Sequence, residues 1–244
     1  MKKFIPFILV GIGLIVVVGA IIFVKFSKKD KVEESPIDEE TVAEISIEDR
    51  PIVSLIPSVD GHWLTLTITD IGIDASTLDY ELVYQVEDGR TQGVPGTIKL
   101  ANESGPIVRE LLLGSESSGK FRYDAGVESG VLTLRFRNDK GKLIGKLSTD
   151  FKLLSKTDEL KSADGKLTFK SDDELDGFYI VMNVFGLPDS TYTNLTGPYG
   201  VFTKESNVRG KVEIQGDGKV FLWDKNNWHE VDSETSLGIF IKAS

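Results

Sequence analysis

No cysteine occurs anywhere in the 244 residues, and only two histidines do. The first absence removes disulfides, thiol nucleophiles and thiolate metal ligands together, so stability must come from packing alone. The second leaves too few ligands for a zinc site of three or four His and Cys. His62 and His229 fall in separate expected domains, each beside a tryptophan on an expected strand, where they read as edge or surface residues. No Gly-x-Ser-x-Gly elbow accompanies them. Basic residues are also scarce: 28 Lys and Arg stand against 38 Asp and Glu, a net charge of -10. Nucleic-acid binding relies on clustered cations that displace counterions from phosphates, so no nucleic acid is expected as a partner.

One long apolar run is present. Phe4 to Val24 carries no charge, and its only residue hostile to a helix, Pro6, sits in the first turn, where a missing N–H costs nothing. At ~1.5 Å per residue the run spans roughly 30 Å of hydrocarbon, whereas a cleavable signal needs an apolar core of only about 7–15 residues. Cleavage after Val18-Gly19-Ala20 would leave Ile21-Ile22-Phe23-Val24 as a greasy terminus. A retained single-pass transmembrane helix over 4–24 is therefore expected, behind a short tail over 1–3, with the lipid bilayer as its partner. Gly11, Gly13 and Gly19 lack the small-xxx-small spacing of a tight helix pair. Lys2 and Lys3 before the run are balanced by Lys25, Lys28, Lys29 and Lys31 after it, so charge gives no clean orientation. Charge alone, if anything, favours a cytoplasmic C-terminus. Against it stands a body rich in Thr, Ser and Gly, built of short alternating strands and free of any nucleotide-binding motif, so an extracytoplasmic position is the expectation. Residues 25–50 are crowded with Glu and Asp and broken by Ser35-Pro36, the composition of a flexible acidic tether.

Beyond Arg50-Pro51 the hydrophobic period changes to two. In His62 to Thr69 the residues Leu64, Leu66 and Ile68 share one face while Trp63, Thr65 and Thr67 share the other. Tyr80 to Val86 repeats the pattern and ends at Asp88-Gly89, which supplies the positive φ of a tight turn. Further strands are expected at 97–100, 107–113, 120–123, 131–137 and 143–154. This spacing of short strands, with turn signals every ~8–12 residues, resembles in architecture the immunoglobulin and fibronectin type III sandwiches, without their Cys pair or core tryptophan placement. A β-sandwich over 51–155 follows, then a linker over 156–165 and a second β-domain over 166–244. Phe178 to Phe185 is nearly continuous apolar sequence, as expected of a central strand covered on both faces. The fold class is all-β.

Three constellations carry candidate chemistry. Asp172, Glu174 and Asp176 alternate before Gly177, a pattern that calcium-binding loops use, although an EF-hand would want different residues at Glu174 and Asn183. Calcium is the one cofactor this pattern would admit. Trp223 and Trp228 flank a polar turn and offer flat faces to a sugar ring or a protein, or else close a core across a hairpin. The abundant carboxylates allow a hidden general acid and base, which spacing alone does not reveal. The function expected is non-enzymatic binding, adhesion or envelope support by a membrane-anchored extracytoplasmic protein, toward an envelope protein or surface polymer. The alternatives are a cytoplasm-facing scaffold and a membrane-tethered carboxylate-dependent hydrolase.

Overall fold

The computed structural model describes Val42 and residues 44–189, 191–192 and 194–244. The expected membrane helix and most of the tether lie outside the described residues. Among those described, no helix is long and apolar enough to cross a membrane. The last residues of the expected tether are folded: Asp49 N–H donates to the Ser46 carbonyl, and Arg50 Nε donates to the Ile45 carbonyl at 2.9 Å. Ile45 packs against the first hydrophobic core, which anchors this turn despite its acidic surroundings.

The described chain is all-β, and its sheets stack as in a sandwich. Strands β1 (Ile52–Pro57), β2 (Trp63–Thr69) and β5 (Ile107–Leu112) form a three-stranded antiparallel sheet. Alternation decides which face is buried: Val53, Leu55, Leu64, Leu66, Ile68 and Leu111 point inward with at most 1% exposure, while Trp63, Thr65 and Thr67 point out. This sheet packs on one end of a nine-stranded sheet made of β3 (Thr77–Gln85), β4 (Thr91–Lys99), β8 (Ser129–Arg137), β9 (Leu143–Leu154), β12 (Tyr179–Asn183), β13 (Leu195–Phe202), β15 (Lys219–Trp223), β16 (Trp228–Glu230) and β18 (Ile239–Ala243), in the order β16-β15-β18-β13-β12-β9-β8-β3-β4. A four-stranded sheet, β10 (Thr157–Lys161), β11 (Leu167–Leu175), β14 (Arg209–Ile214) and β17 (Thr235–Ser236), supplies the second core. A short hairpin of β6 (Gly114–Ser117) and β7 (Lys120–Tyr123) stands apart. Pro95 in β4 is tolerated because β4 is an edge strand, where a missing N–H leaves no ladder bond unmade.

The stretch expected as a linker, 156–165, holds β10 and the turn that follows it, and Leu160 there is fully buried. The long sheet runs through this point in the sequence: β9 and β12, on either side of it, are hydrogen-bonded neighbours with Ile180 opposite Leu153 and Met182 opposite Phe151. Strand β12 joins the two halves in a second way. Ile180 and Met182 belong to the core beneath the three-stranded sheet, and Tyr179 and Val181 belong to the core beneath the four-stranded sheet. The apolar run expected to be covered on both faces thus faces two different cores.

Candidate binding surface

The β1–β2 turn is built by one serine and one aspartate. Ser58 N–H donates to the Trp63 carbonyl at 2.8 Å, and Trp63 N–H donates back to Ser58 Oγ at 3.0 Å. The Ser58 hydroxyl donates to Asp60 Oδ1 at 2.5 Å, and that same oxygen accepts His62 N–H at 3.2 Å. Asp60 is held below its ordinary pKa of 3.8, first by the Ser58 hydroxyl and then by His62 N–H. Gly61 at φ +71° turns the chain, and any Cβ there would lie 2.5 Å from the Phe178 ring. The turn therefore presents Val59 and His62 at the tip of the hairpin.

The β10–β11 turn repeats the construction. Ser162 Oγ donates to Asp164 Oδ1 at 2.6 Å, Lys166 N–H donates to Asp164, and Leu167 N–H donates to Ser162 Oγ at 2.9 Å. Ser-x-Asp-Gly at Ser58 and again at Ser162 is the sequence trace of a shared turn. The hairpins differ in the face they bury: Leu167 is fully buried, whereas its counterpart Trp63 is partly exposed.

Against the first turn lies the β6–β7 hairpin. Period-two alternation puts Phe121 and Tyr123 on one of its faces and Lys120 and Arg122 on the other. Tyr123 stacks on His62 with ring centroids 4.1 Å apart and planes within 5°, and Phe121 meets the edge of Trp63 at 5.5 Å. Phe121 and Tyr123 are themselves parallel within 7° at 6.3 Å. Two of these rings remain open to solvent: Phe121 is 45% exposed and Tyr123 43%. Scattered exposed apolar residues are ordinary, but here two large aromatic ones lie side by side on one hairpin face.

A groove of about 460 Å³ adjoins the rings. Phe178, Val127 and Leu153 give it apolar surface, Asp60, Asp124 and Glu128 give it carboxylates, and no lysine or arginine lines it. Asp124 accepts the Tyr84 hydroxyl at 2.9 Å, and the tyrosine is pushed well above its ordinary pKa by burial and by that carboxylate.

The residues nominated from sequence lie elsewhere. Trp223 and Trp228 are directly opposite in the β15–β16 ladder, with ring centroids 5.3 Å apart, and Tyr192 packs edge-on against Trp228. Both tryptophans are partly buried, and Trp228 Nε1 is the one buried side-chain donor without a hydrogen-bond partner among the described residues. His229 Nε2 lies 2.6 Å from Asp224, far from His62 in the sequence and on the opposite half of the fold. Asp172 and Glu174 lie on β11 where its pairing with β10 slips: Thr157 faces Leu175, but Glu159 faces Lys170. The intervening residues bulge outward, so Asp172, Asp173 and Glu174 are exposed, as is Asp176 beyond the strand. Among the described residues no group of three His, Asp or Glu side chains is placed to hold a metal ion.

Every carboxylate with a resolved shift is lowered, and each has a structural partner. Asp79 is the clearest: burial raises it, but the hydrogen bonds from Arg137 and Thr97, at 2.7 Å each, outweigh burial. No family model, curated protein or solved structure matches this chain.

Proposed function

We propose that the chain is a single-pass membrane-anchored, extracytoplasmic protein whose role is non-enzymatic binding. The observation that carries this reading is the exposed ring surface of Phe121 and Tyr123, with His62 stacked against Tyr123. Solvated aromatic surface of this kind costs free energy in isolation and is typical of a surface awaiting a partner. Its position supports display. Strand β1 starts beside the turn at 44–50, where Gly186 N–H donates to the Pro51 carbonyl, and it ends at the Ser58 turn that carries the rings. At ~3.3 Å per residue the strand separates these points by roughly 20 Å. Within the folded body, the entry of the chain and the rings thus lie at opposite ends of β1. The order β1-β2-β5 against β9-β8-β3-β4 supports an immunoglobulin- or fibronectin-III-like first sandwich, since it sets the first, second and fifth strands against the third, fourth and last two. Such sandwiches carry their contacts on end loops, where β6–β7 lies.

Orientation is tested with the cysteine-free background. Ser117 sits on exposed β6. Cells producing the full chain with Ser117→Cys are treated with a membrane-impermeant maleimide before and after lysis. Labelling of intact cells is the expected result. Labelling only after lysis would turn the protein into a cytoplasm-facing scaffold.

A further inference from the structure

We infer that the ring surface and its groove take a basic polypeptide segment, with an arginine or lysine side chain lying over Tyr123 and Phe121 and its charge directed to the groove carboxylates. The inference rests on the binding reading above and names the chemistry of the partner.

Two independent features converge on this occupant. The first is ring geometry: Phe121 and Tyr123 are parallel and partly exposed, and His62 covers one face of Tyr123. A guanidinium or ammonium is attracted by the quadrupoles of the ring surface left open. The second is the sign of the surrounding charge. Asp60 uses Oδ1 for Ser58 and His62, and Asp124 uses Oδ2 for Tyr84. Asp60 Oδ2, Asp124 Oδ1 and the Glu128 carboxylate therefore remain available to a ligand. Glu116 is directly opposite Phe121 in the hairpin ladder, so it shares the ring face. The nearest cations on the hairpin, Lys120 and Arg122, alternate with the rings and lie on its other face. The net charge of -10 draws a cationic partner from a distance and repels an anionic one.

Other occupants fit less well. A neutral glycan would use the rings but would desolvate carboxylates without supplying a countercharge. An anionic bilayer would meet those carboxylates with repulsion.

The test uses the purified full chain in neutral detergent and a fluorescent hexa-arginine peptide followed by anisotropy. The expected result is saturable binding, with Kd raised about tenfold by the double variant Phe121→Ala, Tyr123→Ala. The variant loses the ring contacts with His62 and Trp63, so a modest fall in thermal midpoint is expected, and binding is compared at a temperature where both proteins are folded. Because that variant changes no charge, its effect separates a site from general attraction to an acidic protein. Glu128→Gln is expected to weaken binding as well, whereas Asp172→Asn with Glu174→Gln, on β11, removes more charge and is expected to leave Kd unchanged. Equal Kd for the ring variant and the parent would overturn the inference. So would ring-dependent binding of tetra-N-acetylchitotetraose or of mixed micelles carrying anionic phosphatidylserine in place of the peptide. The measurement is made on purified protein, so a failed maleimide result would overturn the orientation and leave this outcome standing.

Discussion

The Tyr199 hydroxyl donates to Asp164 Oδ2 at 2.7 Å, linking β13 of the long sheet to the β10–β11 turn of the facing sheet. The ring is 1% exposed, and burial and Asp164 both push the phenol well above its ordinary pKa. Tyr84 makes the corresponding link to Asp124 in the other half. Each core is therefore closed by a buried tyrosine whose only polar atom reaches an aspartate in a loop. Tyr199→Phe keeps the ring and removes the bond, and a cost of about 1–2 kcal/mol is expected in urea unfolding. Tyr84→Phe should cost a similar amount. A neutral result would mean that the ring alone closes the core.

Acid sensitivity follows from Asp164. Burial, the largest single influence, raises its pKa, but the Ser162 hydroxyl, Lys166 N–H and the Tyr199 hydroxyl together hold it below its ordinary value of 3.8. A carboxylate depressed in the folded state contributes stability that is fully present above its unfolded pKa and is lost as pH falls through the folded value. Stability should thus be flat from neutral pH down to about pH 5 and decline below about pH 4. Asp164→Asn should lower stability at neutral pH and flatten the acid limb, as read from denaturation midpoints across pH. An unchanged acid limb would show that other carboxylates set it.

Gly61 and Gly89 separate two costs of a side chain. Both lie at positive φ, +71° and +81°, but a Cβ at Gly61 meets Phe178 whereas one at Gly89 meets nothing within 4 Å. Gly89→Ala should cost about 1 kcal/mol from backbone strain alone. Gly61→Ala should cost clearly more, and it should displace Phe178 from the groove. Equal costs, measured by chemical denaturation, would mean that the ring moves aside freely.

Strand β12 predicts how the two halves unfold. Ile180→Ala should destabilise by about 2–5 kcal/mol through the first core. Because Tyr179 and Val181 on the same strand serve the second core, the loss should appear in both halves. Only Trp63 reports on the first half, and Trp223 and Trp228 report on the second. Emission from Trp63→Phe and from Trp223→Phe with Trp228→Phe should follow one coincident transition. Separate transitions would identify two independent domains.

Much of this fold can be read in advance, and the exceptions have physical causes. Strand β2 and strand β12 announce themselves because one strictly alternates and the other is apolar throughout, which matches one-sided and two-sided burial. Strand β13 hides because Gly197, Pro198 and Gly200 read as a turn, and the structure accommodates them with a register shift against β18 between Thr196 and Tyr199. Strand β10 hides because Leu160 is its only apolar residue. The repeated Ser-x-Asp-Gly turn gives no visible repeat, since the two hairpins bury opposite faces and their apolar residues fall out of phase. At the candidate site, the strand at Lys120 to Tyr123 is legible, but its partner is not. Tyr123 meets His62 through tertiary packing, which no local period records, and nothing in Lys-Phe-Arg-Tyr says that both rings stay exposed. Trp223 and Trp228 stand out by composition, yet they spend much of their surface on each other.

The pairing of β9 with β12 bears on how the chain can be dissected. A fragment ending at Ser155 would retain β9 and lose the strand paired with Phe151–Leu154, leaving the N–H and C=O groups of that end of the edge unpaired. It would also open the first core where Ile180, Met182 and Phe185 had filled it. Such a fragment is a template for association with other copies of itself. Genetic truncation at that point would report aggregation and degradation, and the resulting loss of function would be misread as evidence that the missing half holds the binding site.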